Sequence, residues 1–233
     1  GIAHDFNNLL MGIQGNASLM RLDTPADHPH QQRLKGIEQY VRSGAELTRQ
    51  LLGFARGGKY QVKPIDLKDL VRQSAEMFGR TRKEIVLRMA FQEPVWVVEA
   101  DRTQVEQVLL NLYVNAWQSM PSGGTLQLKT ENVELSPDEA EPHQVAPGRF
   151  VRITVQDTGT GMDEETRERI FEPFFTSKEM GRGTGLGLAS AYGIVKNHGG
   201  FILVESEKGK GTTFRIHFPA AEGTVQEKKI PQK

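Results

Sequence analysis

The amino-acid sequence predicts an α+β chain in which an antiparallel helical hairpin precedes an α/β domain. Apolar residues at helical spacing run from Ile2 to Ala55, interrupted once by a cluster of turn formers. Beyond Lys59 short strand-like runs alternate with helical ones. Glycine is in excess, and of the 24 glycines 11 fall between Gly159 and Gly211, so the excess marks one region rather than general loop content. A length of 233 residues suits one domain with a smaller module beside it. Lys+Arg 29 balances Asp+Glu 29, which removes the basic footprint that nucleic-acid binding uses. The absence of cysteine excludes a disulfide scaffold, a thiolate zinc site and a cysteine nucleophile, and fits a cytoplasmic setting. No apolar run approaches the ~18 residues of a membrane span and no signal sequence opens the chain, so no membrane contact is expected within this stretch.

The first helix carries Ile2, Phe6, Leu9, Ile13 and Met20 in alternating four- and three-residue steps, with Asn16 in the missing place and Leu10 and Ala17 widening the stripe. Gly1 gives no start signal, so the helix is expected to be cut from a longer one. Asp23 to Pro29, with two prolines, ends it. A second helix follows through Leu34, Ile37, Val41, Ala45, Thr48, Leu52 and Ala55 and stops at Gly57-Gly58. Such a hairpin has more apolar face than it can bury alone, so pairing with a second copy into a four-helix bundle is expected. Pro64 and Asp66 then introduce a helix from Leu67 to Phe78, followed by strands Ile85 to Phe91 and Val95 to Val98, and a long helix from Arg102 to Met120. Strands Thr125 to Leu135 and Phe150 to Gln156 flank an acidic loop, Ser136 to Gly148, read as a solvated hairpin tip. A short helix at Glu164 to Ile170, a glycine-rich stretch, a helix from Leu186 to His198, and strands Phe201 to Glu205 and Thr212 to Phe218 complete the order. The polar tail after Pro219 reads as a linker or frayed end.

Four constellations could carry chemistry. His4 lies on the far side of the first helix from its apolar seam, with Asp5 adjacent and Asn8 one turn on. Alone, such a histidine is an ordinary surface residue; beside a carboxylate it is also a nucleophile with a proton acceptor. Asn111 and Asn115 share one face of the long helix, and an amide oxygen is a hard neutral ligand suited to Mg²⁺, although the pair also suits plain helix hydrogen bonds. Asp157 ends a strand and precedes Gly159 and Gly161, so a carboxylate meets backbone that a flat base can approach; a simple turn explains the same residues. Gly181 to Ala189 alternates glycine before a helix, which gathers backbone N–H groups for phosphate, yet it matches neither the dinucleotide fingerprint nor the Walker loop. Phe171 to Lys178 between them reads by default as core; Lys178 and Arg182 add positive charge to a segment able to close over a polyphosphate.

Taken in order, His4-Asp5-x-x-Asn8, Asn111-x-x-x-Asn115-Ala116, Asp157-x-Gly159-x-Gly161, Phe171-x-Pro173-Phe174 and Gly183-x-Gly185-x-Gly187 resemble the H, N, G1, F and G2 boxes of two-component sensor histidine kinases, and Gly211-Thr212-Thr213-Phe214 resembles the last glycine box. The resemblance spans nearly the whole chain. It implies a dimerisation and histidine-phosphotransfer hairpin over residues 1–58, an α/β sandwich ATP-binding domain of GHKL type over 59–219, and a tail over 220–233. It further implies that His4 attacks the γ-phosphate of ATP with Asp5 accepting its proton, and that Asn115 ligates Mg²⁺. Asp157 would bind the adenine amine and Gly159 and Gly161 would line the base pocket; Asn111, Lys178, Arg182, Gly183, Thr184, Gly185, Leu186, Gly187 and Leu188 would hold the rest of the nucleotide. Asn111 stands where chaperone and topoisomerase relatives carry a water-activating glutamate, so a kinase rather than a nucleotide-driven hydrolase is implied, and retention of every box argues against a degenerate binding dimer. The implied partner is the aspartate of a response-regulator receiver domain, separate or fused downstream, with Asn8 orienting the water that dephosphorylates it. Two departures stand out: Thr158 where asparagine is common, and Gln118-Ser119 where an acidic residue and alanine are often found.

Overall fold

A computed structural model describes residues 2–25, 27–38, 40–41, 61–177 and 184–221, with side chains from Leu9 onward. It divides into two compact units, Gly1–Lys59 with Glu172–Leu186, and Tyr60–Phe171 with Gly187–Lys233. Among the described residues no helix is long and apolar enough to cross a membrane.

The first unit is built on helix α1 (Ile2–Asp23), which ends where the proline-containing turn was expected, and a second helix, α2, over 30–38 and 40–41. Ala17, Leu34 and Val41 are buried. Polar groups join the two helices: the buried Glu38 carboxylate accepts from Ser18 Oγ at 2.8 Å and pairs with Arg21 Nε at 3.3 Å, and Gln31 Nε2 donates to Arg21 O at 3.0 Å. Leu9, Ile13 and Met20, the apolar seam residues whose side chains are described, are 65%, 50% and 61% exposed in the single chain. The expected continuation of α2 through Ala45 to Ala55 lies outside the described residues.

The second unit holds a five-stranded mixed sheet and a two-stranded ribbon. The ribbon pairs β1 (Val62–Ile65) antiparallel with β3 (Val98–Asp101). The expected strand Val95 to Val98 is therefore displaced: only Val98 joins a strand, and the strand runs on to Asp101 because β1, unforeseen around Pro64, supplies its partner. The sheet order is β2-β4-β5-β7-β6, from β2 (Ile85–Phe91), β4 (Gly124–Leu135), β5 (Gly148–Asp157), β6 (Phe201–Glu207) and β7 (Gly211–Pro219), with only β2 and β4 parallel.

Helices α3 (Leu67–Thr81), α4 (Arg102–Ser119) and α7 (Gly187–Asn197) pack side by side against one face of this sheet. Strand alternation supplies that face with the rows Leu128–Val155–Phe214 and Thr130–Ile153–Ile216. The opposite face is polar over much of its area, with Arg152 paired to Glu131 at 3.0 Å and Arg215 to Glu205, and carries a buried aromatic patch of Phe150, Phe201 and His217. The middle helix, α4, buries Val105, Val108, Leu109, Leu112, Tyr113 and Ala116 and is capped by the Asp101 carboxylate, which accepts from Thr103 N at 2.9 Å and Gln104 N at 3.2 Å.

The stretch Ser136 to Gly148 is exposed over most of its length, as expected, but it is folded rather than a plain hairpin tip. It forms helix α5 (Pro137–Ala140) and a 3₁₀ turn, Glu141–His143, begun by a capping box in which Glu139 accepts from the Ser136 amide at 2.9 Å and hydroxyl at 2.8 Å. Ala140 is buried, and His143 stacks on Phe201, which stacks in turn on His217, each pair at 4.2 Å. The apolar edge of β6 thus holds the loop down. A further short helix, α6 (Glu164–Arg169), is capped by Asp163.

Candidate functional site

Asp157 closes β5 in the helix-facing register, in the row Leu126–Asp157–Thr212–Ser206. A carboxylate at that position is buried by alternation alone, and it is 5% exposed. Its Oδ1 accepts from Gly159 N at 2.8 Å and lies 3.2 Å from Ser119 Oγ at the end of α4. Burial pushes the carboxyl above its ordinary range, and the donors from Gly159, Ser119 and the Thr212 backbone oppose that rise. Among the described residues no ion pair reaches this carboxylate, whose donors are a hydroxyl and backbone N–H groups.

The loop after Asp157 is clamped on three sides. Thr158 N donates to Thr125 O at 3.2 Å and Thr158 Oγ1 accepts from Thr125 N at 3.0 Å; Thr160 N donates to Ser119 O at 3.0 Å, and Met162 N to Ser206 Oγ at 2.9 Å. Only glycine fits at the closest approaches. A Cβ on Gly159 would lie 2.8 Å from Asp157 Oδ1 and collide with the Ser119 hydroxyl, and Gly161, at φ +62°, would collide with the Glu207 carbonyl.

Helices α4 and α7 pack against each other and are joined by polar contacts. Asn111 Nδ2 donates to Gly187 O at 2.9 Å, Gln107 Nε2 to Ser190 Oγ at 3.3 Å, and the Asp101 amide to His198 Nε2 at 3.0 Å. Asn111 and Asn115 are both half-buried on α4 as their spacing predicted, and Gly187 opens α7 with Leu188 next to it. Among the described residues no group of three or more His, Asp or Glu is placed to hold a metal ion. One amide oxygen therefore suits only a hard cation whose other ligands come from water and a bound anion, the habit of Mg²⁺.

In the first unit, Phe174 N donates to Gly185 O at 3.1 Å and Leu186 N meets Thr184 Oγ1 at 3.4 Å. Gly185 has φ +66°, and a Cβ there would lie 2.6 Å from Phe174 O. Phe174 itself has φ +68° and is 59% exposed, so the default reading of that phenylalanine as core does not hold. Lys178, Arg182 and Gly183 lie outside the described residues, as do the side chains of His4, Asp5 and Asn8, whose backbone belongs to α1.

Sequence reasoning passed over Ser119 as a site residue, noting it only as a departure from a pattern. Its signal was present: Asn111, Asn115 and Ser119 stand at successive four-residue steps and share one stripe of α4. Thr212 and Ser206 were not foreseen, because their relevance comes from cross-strand register with Asp157.

Residues 100–222, more than half of the chain, match the family described as Histidine kinase-, DNA gyrase B-, and HSP90-like ATPase. The chain is 43% identical over 222 residues to the sensor kinase CckA of Brucella abortus (strain 2308), covering 94% of this chain and 23% of CckA. It is 31% identical over 221 residues to the sensor histidine kinase ZraS of Escherichia coli (strain K12), covering 94% of this chain and 44% of ZraS. Among solved structures it resembles full-length ShkA in complex with AMPPNP, with 28% identity and a TM-score of 0.67 over 96% of this chain and 46% of ShkA. The chain thus spans less than half the length of each of these relatives.

Proposed function

Because this chain belongs to the histidine kinase-, DNA gyrase B- and HSP90-like ATPases and is the catalytic core of a sensor histidine kinase, we propose that it transfers the γ-phosphoryl group of ATP to His4 and then to an aspartate of a response-regulator receiver domain. The observation that carries the nucleotide reading is Asp157: a buried carboxylate, held by a hydroxyl and backbone N–H donors, at the rim of a loop where glycines alone allow close approach. Such a group accepts from the exocyclic amine of adenine and discriminates against a base that offers a carbonyl there.

In this reading residues 1–58 form the dimerisation and phosphotransfer hairpin, 59–219 the ATP-binding domain and 220–233 a linker. An imidazole nitrogen of His4 attacks the γ-phosphorus, the bond to the β,γ-bridging oxygen breaks, ADP departs, and Asp5 accepts the imidazole proton. Asn115 would hold Mg²⁺, which when bound neutralises phosphate charge and orients the oxygens. Asn111, which already donates to Gly187 O, fixes the start of α7, where Gly187 and Leu188 present backbone N–H groups to phosphate. An amide at position 111 has no basic lone pair with which to deprotonate water, which leaves His4 as the acceptor. Lys178, Arg182, Gly183, Thr184, Gly185 and Leu186 complete the phosphate contacts, and Asn8 orients the water that hydrolyses the receiver's phospho-aspartate to aspartate and inorganic phosphate. The exposed Leu9, Ile13 and Met20 support homodimerisation through the hairpin.

Incubation with γ-labelled ATP and Mg²⁺ tests the reading. Label that is acid-labile, base-stable and lost in His4→Gln is expected. Absence of such label overturns the kinase reading, and its survival in His4→Gln overturns the acceptor assignment.

A further inference from the structure

We propose that Ser119 is a positioning residue of the base pocket, its hydroxyl holding Oδ1 of the Asp157 carboxylate so that the remaining acceptor capacity is offered to the base. This rests on the nucleotide reading of the site above.

The Ser119 hydroxyl has one proton and two acceptors within reach, Ala116 O at 2.8 Å and Asp157 Oδ1 at 3.2 Å. Ala116 O belongs to the last turn of α4, where the Met120 amide turns aside to Trp117 O, so it takes the hydroxyl as a substitute partner. A hydrogen bond to an ionised acceptor is the stronger of the two kinds. The proton therefore turns to Oδ1 when Asp157 is charged and back to Ala116 O when it is neutral. A donor that follows the charge stabilises only the carboxylate, in opposition to the desolvation that raises Asp157. Oδ1 then receives both Ser119 and Gly159, so an exocyclic amine draws on the acceptor capacity that remains, which it shares with the Thr212 backbone donor.

The second departure from the family pattern stands at the same place. Thr158 Oγ1 accepts from Thr125 N, and a Cβ on Gly124 would lie 2.8 Å from that oxygen. The Ser119 carbonyl meanwhile holds Thr160 N at 3.0 Å. Ser119 thus grips the loop by its backbone and the carboxylate by its side chain, and only the second grip is lost on truncation to alanine.

ADP binding to the whole chain, measured calorimetrically between pH 5 and 8 for the wild type, Ser119→Ala, Ser119→Thr and Asp157→Asn, tests this. Ser119→Ala is expected to bind ADP about threefold to tenfold more weakly near the acid limb, with that limb moved to higher pH, and Ser119→Thr to restore both. The pH dependence separates positioning from a general loss of packing, which would lower affinity equally at every pH. An unmoved acid limb in Ser119→Ala overturns the proposal while wild-type binding and its loss in Asp157→Asn leave the nucleotide reading intact. Failure of wild type to bind ADP, or full binding by Asp157→Asn, overturns that reading itself.

Discussion

Gly161 and Gly187 both belong to glycine boxes, yet replacing them with alanine should have opposite consequences. Gly161 has φ +62°, and a left-handed conformation costs a non-glycine residue about 1–2 kcal/mol. Its Cβ would also overlap the backbone carbonyl of Glu207 and lie 3.1 Å from Gly211 O, neither of which is the flexible end of a side chain. Relief requires the β6–β7 turn to move away from the loop, so Gly161→Ala should destabilise the second unit by about 2–4 kcal/mol in all. Gly187 sits in the first turn of α7 with φ outside the left-handed region, and the atom nearest to an added Cβ is 3.7 Å away. Alanine there meets only ordinary contact and gains helix propensity, so stability should hold or rise by a few tenths of a kcal/mol. Both tryptophans, Trp96 and Trp117, lie in the second unit. Urea unfolding followed by tryptophan fluorescence therefore reports that unit alone. Equal midpoints for Gly161→Ala and wild type, or an equal fall in Gly187→Ala, would refute the steric reasoning.

Other perturbations have equally definite signs. Asp157→Asn should lose ADP affinity but unfold at an equal or higher urea midpoint without nucleotide: burial raises the carboxyl, so its ionised form costs stability at neutral pH, and that cost disappears with the charge or as pH falls through the raised value. His217 is buried and desolvation lowers it from 6.5 to about 4, so as pH falls the unfolded chain takes the proton first; stability should drop from about pH 6.5 to about pH 4, by about 3 kcal/mol in all, and His217→Gln should flatten that limb in urea titrations. Asn115→Ala should reduce the Mg²⁺-dependent part of ADP affinity roughly tenfold or more, with binding in chelator unchanged; an effect of equal size in chelator would remove Asn115 from the metal.

The candidate site was legible in the sequence to the extent that it was written in local order. Asn111 and Asn115 needed only a helical period, and Asp157 with its glycines only the end of a strand. Two elements resisted the same reasoning for one physical reason. Strand β3 lies at Val98–Asp101 rather than Val95–Val98 because β1 pairs there, and the stretch after Ser136 packs down because Phe201, far along the chain, offers a ring to His143. The capping box Ser136-x-x-Glu139 is a local signal that the reading of this stretch as a loop passed over, and it does not say what would bury the helix it starts.

The sequence by itself determined the order of elements, the helix start at Asp66, and the ordered boxes that mark the family, because propensity, periodicity and spacing act within a few residues. The tertiary structure decided what those marks are worth. It separates Gly161 from Gly187, since the first has a left-handed φ and the Glu207 and Gly211 carbonyls against it and the second has neither. It turned Ser119, a mere departure in the chain, into a neighbour of Asp157, since the end of α4 and the end of β5 meet only when the helix lies on the sheet. Burial of a charge is likewise a property of the packed layers, so the perturbation of Asp157 and His217 is set by the fold.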